Sequence, residues 1–96
     1  MSASAHDCPT ELDLTHEEAW ALHAALLVSI EDAVEAGEDP DELVSFLTRV
    51  EENADFECDE LASLVEVLRS YVNGQAPSRD RRPARNAINN IQTALA

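Results

Sequence analysis

Hydrophobic residues recur along this chain at helical spacing, in four runs separated by glycine, proline and acidic clusters. The first run spans His16 to Ala36, with Thr15 as N-cap and Glu18 three residues on, the signature of a capping box. At ~100° per residue, Trp20, Leu22, Ala24, Leu26, Leu27, Ile30, Ala33 and Val34 share one side of this helix. Glu17, Glu18, Ser29, Asp32 and Glu35 take the other. The apolar arc covers about half the circumference, wider than the ~100° stripe of a helix buried on one side. The pattern therefore predicts a central helix touched by at least two neighbours.

The second run opens on Asp39-Pro40-Asp41-Glu42, read as a cap, a proline at the first helical position, and acids facing the positive helix start. Leu43, Phe46, Leu47, Val50 and Ala54 form its inner face, and it fades near Asn53. The third starts near Cys58-Asp59-Glu60. Its stripe is Leu61, Leu64, Val65, Leu68 and Val72, with Val67 and Tyr71 at the edge, and it ends at Asn73-Gly74. Gly37 and Gly74 suit the left-handed residue just past a helix end. Residues 75–82 read as a linker. The fourth helix is expected from Arg82-Pro83 to Leu95, with Ala84, Ala87, Ile88, Ile91 and Leu95 on a narrow stripe. Only Glu11-Leu12-Asp13-Leu14 hints at strand-like alternation.

The expected fold is all-α: a small antiparallel helical bundle of three core helices plus a C-terminal amphipathic helix. The expected divisions are a disordered N-terminal tail over 1–11, a three-helix core over 12–74, and an arginine-rich linker and C-terminal helix over 75–96. A core this small and poor in aromatics is marginal by itself, which favours dimerisation through the first or fourth helix.

Composition changes the picture in one direction. The 96 residues hold 20 Asp and Glu against 6 basic residues, a formal charge of −14. All six basic residues are arginine and none is lysine, while apolar residues still make up 45%, enough to build a core. No apolar run approaches the ~20 residues that span a bilayer. The N-terminus lacks the basic region and apolar stretch of a signal peptide. A cytoplasmic location follows as the expectation. Acid excess, absent lysine and abundant alanine resemble proteins of halophilic archaea that keep molar salt in the cytoplasm. The stretch Leu14-Thr15-His16-Glu17-Glu18-Ala19-Trp20 through Glu38-Asp39-Pro40-Asp41-Glu42-Leu43 resembles the small, acidic helical proteins common in haloarchaeal proteomes. The resemblance covers most of residues 11–73 and implies salt adaptation; it brings no catalytic or binding residues with it.

Motifs with chemical content are few. His16-Glu17-Glu18-Ala19-Trp20 begins like a zinc-protease motif, but position 20 carries tryptophan where the second histidine is required. His16 and His23 share a face, yet seven residues separate them by ~10.5 Å of helix rise, too far for one ion. The expectation is a buried, hydrogen-bonded His23 and a helix-start His16. His6, Asp7, Cys8 and Cys58 lack the paired spacing of a zinc site. Free thiols are expected at Cys8 and Cys58, because a reducing cytoplasm disfavours a disulfide between them. Glu38-Asp39-Asp41-Glu42 lacks the spacing and turn glycine of a calcium loop. No catalytic triad and no phosphate-cradling glycine loop can be assembled. The reading is therefore non-enzymatic, with no metal, cofactor or small-molecule substrate and no membrane partner.

One segment departs from the rest: Arg79-Asp80-Arg81-Arg82-Pro83-Ala84-Arg85. Residues 1–78 carry a formal −17 and residues 79–96 carry +3. These arginines sit at a helix start, where the dipole already favours anions, so the segment forms an anion-binding end. Three readings stay open. The cluster pairs with carboxylates of the acidic body, or Arg79, Arg81, Arg82 and Arg85 contact a protein partner or second copy, or they bind nucleic acid as a dimer. Four phosphate contacts give a salt slope near −3.6, a loss of over three orders of magnitude between ~0.2 and ~2 M salt. The third helix would also present Asp59, Glu60, Ser63 and Glu66 to a groove, where readers carry basic or amide side chains. Nucleic acid is thus disfavoured. The expected function is a salt-adapted protein-interaction or regulatory module, with a dimeric nucleic-acid-associated regulator as the alternative.

The charge makes a direct prediction. At 1 M salt the Debye length is roughly 3 Å and carboxylate repulsion is screened; in dilute buffer it is not. Circular dichroism should show helix content lost on dialysis from molar KCl into dilute buffer and regained on return. An unchanged spectrum would remove salt adaptation from the reading.

Overall fold

A computed structural model describes residues 14–52, 56–74 and 76–95. Among them are four helices and no strand: α1 (His16–Glu35), α2 (Asp41–Glu51), α3 (Cys58–Asn73) and α4 (Ser78–Leu95). The all-α class and the helix order follow the hydrophobic pattern. α1 is central, packed against each of the other three, and α3 also packs along α4.

The start of α1 is built by the capping box. Thr15 Oγ1 accepts from the Glu18 backbone N–H at 3.1 Å, and Glu18 Oε1 accepts from the Thr15 N–H at 3.0 Å. Its end is a Schellman turn, in which Glu38 N–H donates to the Ala33 carbonyl and Gly37 N–H to that of Val34. Gly37 takes φ +78°, the left-handed conformation that glycine adopts without strain. Gly74 does not follow suit. It sits at φ −122°, and a Cβ there would lie 3.2 Å from the Ser70 carbonyl, a tight contact that glycine avoids.

The expected face of α1 is corrected. The buried residues are Glu18, Ala21, Leu22, Ala25, Leu26 and Ala33. Leu22, Leu26 and Ala33 come from the apolar arc, but Trp20, Leu27 and Val34 stay exposed at 62%, 43% and 60%. The helix is rotated so that Ala21 and Ala25 face inward. Small side chains let neighbouring backbones approach closely, and close packing then outweighs the larger apolar area left outside. Glu18 goes inside with them because its carboxylate is already engaged by the cap and by Asn90 of α4, whose Nδ2 donates to Glu18 Oε1 at 2.7 Å.

α2 begins one residue later than expected. Pro40 is the N-cap, and Asp39 Oδ1 still accepts from the Asp41 N–H at 3.0 Å. The expected fading near Asn53 and the inner position of Ala54 lie outside the described residues. In α3, Tyr71 belongs to the core and Val72 is half-buried, the reverse of the expected order. α4 is the largest correction: it starts at Ser78, not Arg82, so residues 78–82 are helix and Pro83 lies inside it. Pro83 has no N–H for the carbonyl of Arg79, which costs one helix hydrogen bond. The start is held from outside instead. Asp80 accepts from the Tyr71 hydroxyl at 2.7 Å, and Asp80 N–H donates to the Pro77 carbonyl at 2.9 Å. Beyond it, Ala84, Ala87, Ile88 and Ile91 are buried against the core.

Cys58 is also corrected. It is disulfide-bonded, and no described cysteine is free. The expectation of a free thiol rested on an assumed reducing compartment, which is no property of the chain itself. The other cysteine, Cys8, lies outside the described residues, as do His6, Asp7 and the tail assigned to 1–11. No helix among the described residues is long and apolar enough to cross a membrane.

α2 is tied to α3 by an ion pair that hydrophobic periodicity does not reveal. Arg49 Nη1 and Nη2 donate to Glu60 Oε1 and Oε2 at 2.8 and 2.7 Å, a bidentate pair, and the guanidinium lies 4.8 Å from the ring centre of Phe56 and 5.4 Å from that of Phe46. Phe46 and Phe56 pack edge to face at 6.0 Å. Glu60 Oε1 also accepts from the Glu57 N–H at the start of α3. The Arg49 hydrogen bonds, aided by that backbone N–H, hold the Glu60 carboxyl down at about 2, and the carboxylate raises the Arg49 pKa in turn.

A carboxyl that stays ionised in the fold to about pH 2, against an ordinary value of 4.5, stabilises the fold fully above pH 4.5. That stabilisation is lost as pH falls from there toward 2. Glu60→Gln should cost about 2 kcal/mol at neutral pH and flatten the fall in stability across this acid range in denaturant titrations. A mutant as stable as the parent at pH 7 would show that the pair contributes nothing.

Candidate functional site

The feature most suited to recognition is a groove of about 470 Å³ between the first turns of α1 and α4, lined by His16, Glu17, Trp20, Arg79, Asp80 and Pro83. It exists because α4 starts early. Had the helix begun at Arg82, no helical turn would present Arg79 and Asp80 beside α1. The wall from α4 is positioned by the Tyr71–Asp80 hydrogen bond.

Trp20 gives the groove an apolar, exposed indole. Its ring stacks on that of His23 at 5.6 Å with an interplanar angle of 9°. His23 is half-buried, and its Nε2 lies 3.0 Å from Glu51 Oε2 of α2, so it is the hydrogen-bonded residue expected, though less deeply placed. From Trp20 an apolar line runs along α1 through Leu27 to Val34, each seven residues from the last. Half-buried His23 and Ile30 flank it.

All four arginines of the segment are exposed. Arg79 is 88% exposed, and its Nε lies 4.0 Å from Oδ1 of its own neighbour, Asp80. Arg81 Nε donates to the Ala76 carbonyl at 3.4 Å, a long and weak bond. Among the described residues, no carboxylate of α1, α2 or α3 forms an ion pair with Arg79, Arg81, Arg82 or Arg85. Arg79 is brought to the groove beside Trp20, whereas Arg81, Arg82 and Arg85 are not among its lining residues. Asn86 and Asn89 are exposed, and Asn90 is engaged with Glu18. The described residues hold no group of three metal-ligating side chains.

Two parts of this arrangement escaped the sequence reading. An uncovered part of the α1 arc is a contact surface the sequence suggests, but which residues stay outside was hidden, because periodicity marks which residues are apolar, not which way the helix is turned. The groove was hidden because proline was read as a helix start. A signal was present in Pro77-Ser78-Arg79-Asp80, which places a proline just before a helix and an acid in its first turn.

The described residues thus form an all-α bundle of four helices, with an exposed tryptophan and arginine lining a groove at one end. The chain belongs to a family of unknown function (DUF7853), whose model matches residues 12–92. No curated protein and no solved structure matches it.

The groove wall has its own test. Burial, with the Asp80 hydrogen bond, pushes the Tyr71 hydroxyl up to about 12. An unfolded tyrosine ionises near 10, so this contribution is present below pH 10 and lost as pH rises toward 12. Tyr71 is the single tyrosine of the chain, so ultraviolet titration reads it directly. Tyr71→Phe should lower stability by about 1 kcal/mol and speed amide exchange at the start of α4 ahead of α2. Equal exchange in both helices would mean that this bond does not hold the groove wall.

Proposed function

We propose that this chain is a non-enzymatic, salt-adapted helical interaction module that contacts another protein surface. The contact surface is the arginine-led start of α4 with the uncovered apolar line of α1. The observation that supports this most is their meeting at one groove, where exposed Trp20 and Arg79 line the same space. Apolar anchors such as tryptophan beside arginine are the residues that dominate protein interfaces. Contiguous exposed apolar residues on a small soluble domain are a recognised mark of interaction. The composition supports operation in molar salt, where long-range attraction is screened and short-range apolar contact retains its strength. The same condition weakens a phosphate-binding role, because arginine–phosphate affinity falls steeply with salt.

Affinity capture from a molar-KCl lysate, with and without nuclease, tests the reading. The parent should retain a protein after nuclease, and a variant with Arg79, Arg81, Arg82 and Arg85 changed to glutamine should lose at least tenfold of it while keeping its helix content. Retention abolished by nuclease would replace the module with the nucleic-acid regulator. Undiminished capture by the variant would remove the arginines from the surface.

A further inference from the structure

The uncovered line on α1 has a geometry that selects its occupant. Trp20, Leu27 and Val34 recur every seven residues over ~21 Å of helix, with His23 and Ile30 on the intervening turns. A seven-residue repeat with flanking positions three residues on is the seam by which two helices pair side by side. The charges along that line are polarised. Beside Trp20, at the start of α1, lies Arg79, in a groove that Glu17 and Asp80 also line, and the exposed Arg81, Arg82 and Arg85 follow along α4. Toward Val34, at the other end, lie exposed Glu31, Glu35 and Glu38, and the last turn of α1 carries no basic residue against its negative dipole end.

We propose that this face is the interface of a two-fold dimer in which α1 pairs antiparallel with α1 of a second copy, centred on Leu27. This inference deepens the interaction-module reading, from which it takes the contact surface. With Leu27 on the axis, Trp20 stands opposite Val34 of the second copy, Ala24 opposite Ile30, and His23 opposite Glu31. The groove end, with Arg79, faces the stretch around Glu35 and Glu38. Each arginine-bearing end thus meets an acidic helix end, twice by symmetry. Parallel pairing would set arginine end against arginine end and acids against acids, and like charges in contact repel. A stable interface takes about 800 Å² from each partner, more than one apolar line supplies, so the charged ends are part of the contact. The arginines carry no ion pair to α1, α2 or α3 of their own chain among the described residues, consistent with their serving a second copy.

Sedimentation equilibrium of the full chain in molar KCl should give twice the chain mass, and Leu27→Glu should give a monomer with unchanged helix content. Disulfide trapping under mild oxidation reads the direction. Leu27→Cys should link to itself. Trp20→Cys and Val34→Cys should link to each other when mixed, and neither to itself. Self-linking at both ends would overturn the antiparallel arrangement. A monomer at every concentration would overturn the dimer, whether the face is then covered by residues 1–13 or by another protein. Capture of another protein by such a monomer would leave the interaction-module reading standing while this inference fails. A dimer that captures nothing would leave the inference standing and confine the module to self-association.

Discussion

Everything in this fold leans on one helix. α1 is packed by α2, α3 and α4, while α2 has its helix packing with α1 alone. Three neighbours cannot close around a helix whose apolar arc covers half its circumference unless its inward side chains are small. Ala21 and Ala25 meet that condition, and Leu22 and Leu26 fill the spaces on either side. The consequence is a helix turned with its close-packing face inward and with Trp20, Leu27 and Val34 outward. The exposed line is therefore a result of how the core closes. Burying Trp20 instead would hold the neighbouring backbones further from α1 and open voids around the leucines, which a small domain tolerates poorly.

Charge imposes the second condition. With a formal −14 the chain repels itself, and one arginine is placed to hold two helices together. Arg49 takes a bidentate position between α2 and α3, over two phenylalanine rings, at the place where α2 lacks a packing partner other than α1. One guanidinium thereby joins two helices, lies over an aromatic pair and pairs with the carboxylate that helps begin α3. Lysine has no planar fork to satisfy both carboxylate oxygens while lying flat over a ring. Arg49 is thus a structural cation, in contrast to Arg79, Arg81, Arg82 and Arg85, which are exposed and spend little on the fold.

The hydrophobic period made the helix count, the Thr15–Glu18 cap, the Gly37 turn and most core residues of α3 and α4 legible, because each is written in local spacing. What was not legible depends on distant partners. Nothing near Pro83 says that Asp80 has a hydroxyl waiting on Tyr71, and without that bond the proline reads as a start, not an interior residue. Nothing near Glu18 says that Asn90 lies across from it. The arginine segment was legible as an anomaly from charge alone, yet its lack of an ion pair to α1, α2 or α3 among the described residues is a matter of tertiary placement. So is its meeting with Trp20.

These two legacies of packing converge at one end of the molecule. Tyr71 fixes Asp80, which sets the first turn of α4 beside the first turn of α1; the rotation of α1 then leaves Trp20 facing that turn. An apolar anchor and a cation are placed side by side by contacts that each serve the core. A surface assembled this way is rigid before any partner arrives, since both walls are the starts of docked helices and not loops. Binding there would forgo much of the ordering cost that a flexible segment incurs, and this offsets the small area that a 96-residue chain can offer. In molar salt, where charge acts only over contact distances, an indole and a guanidinium that line one groove would act at short range while long-range steering is lost.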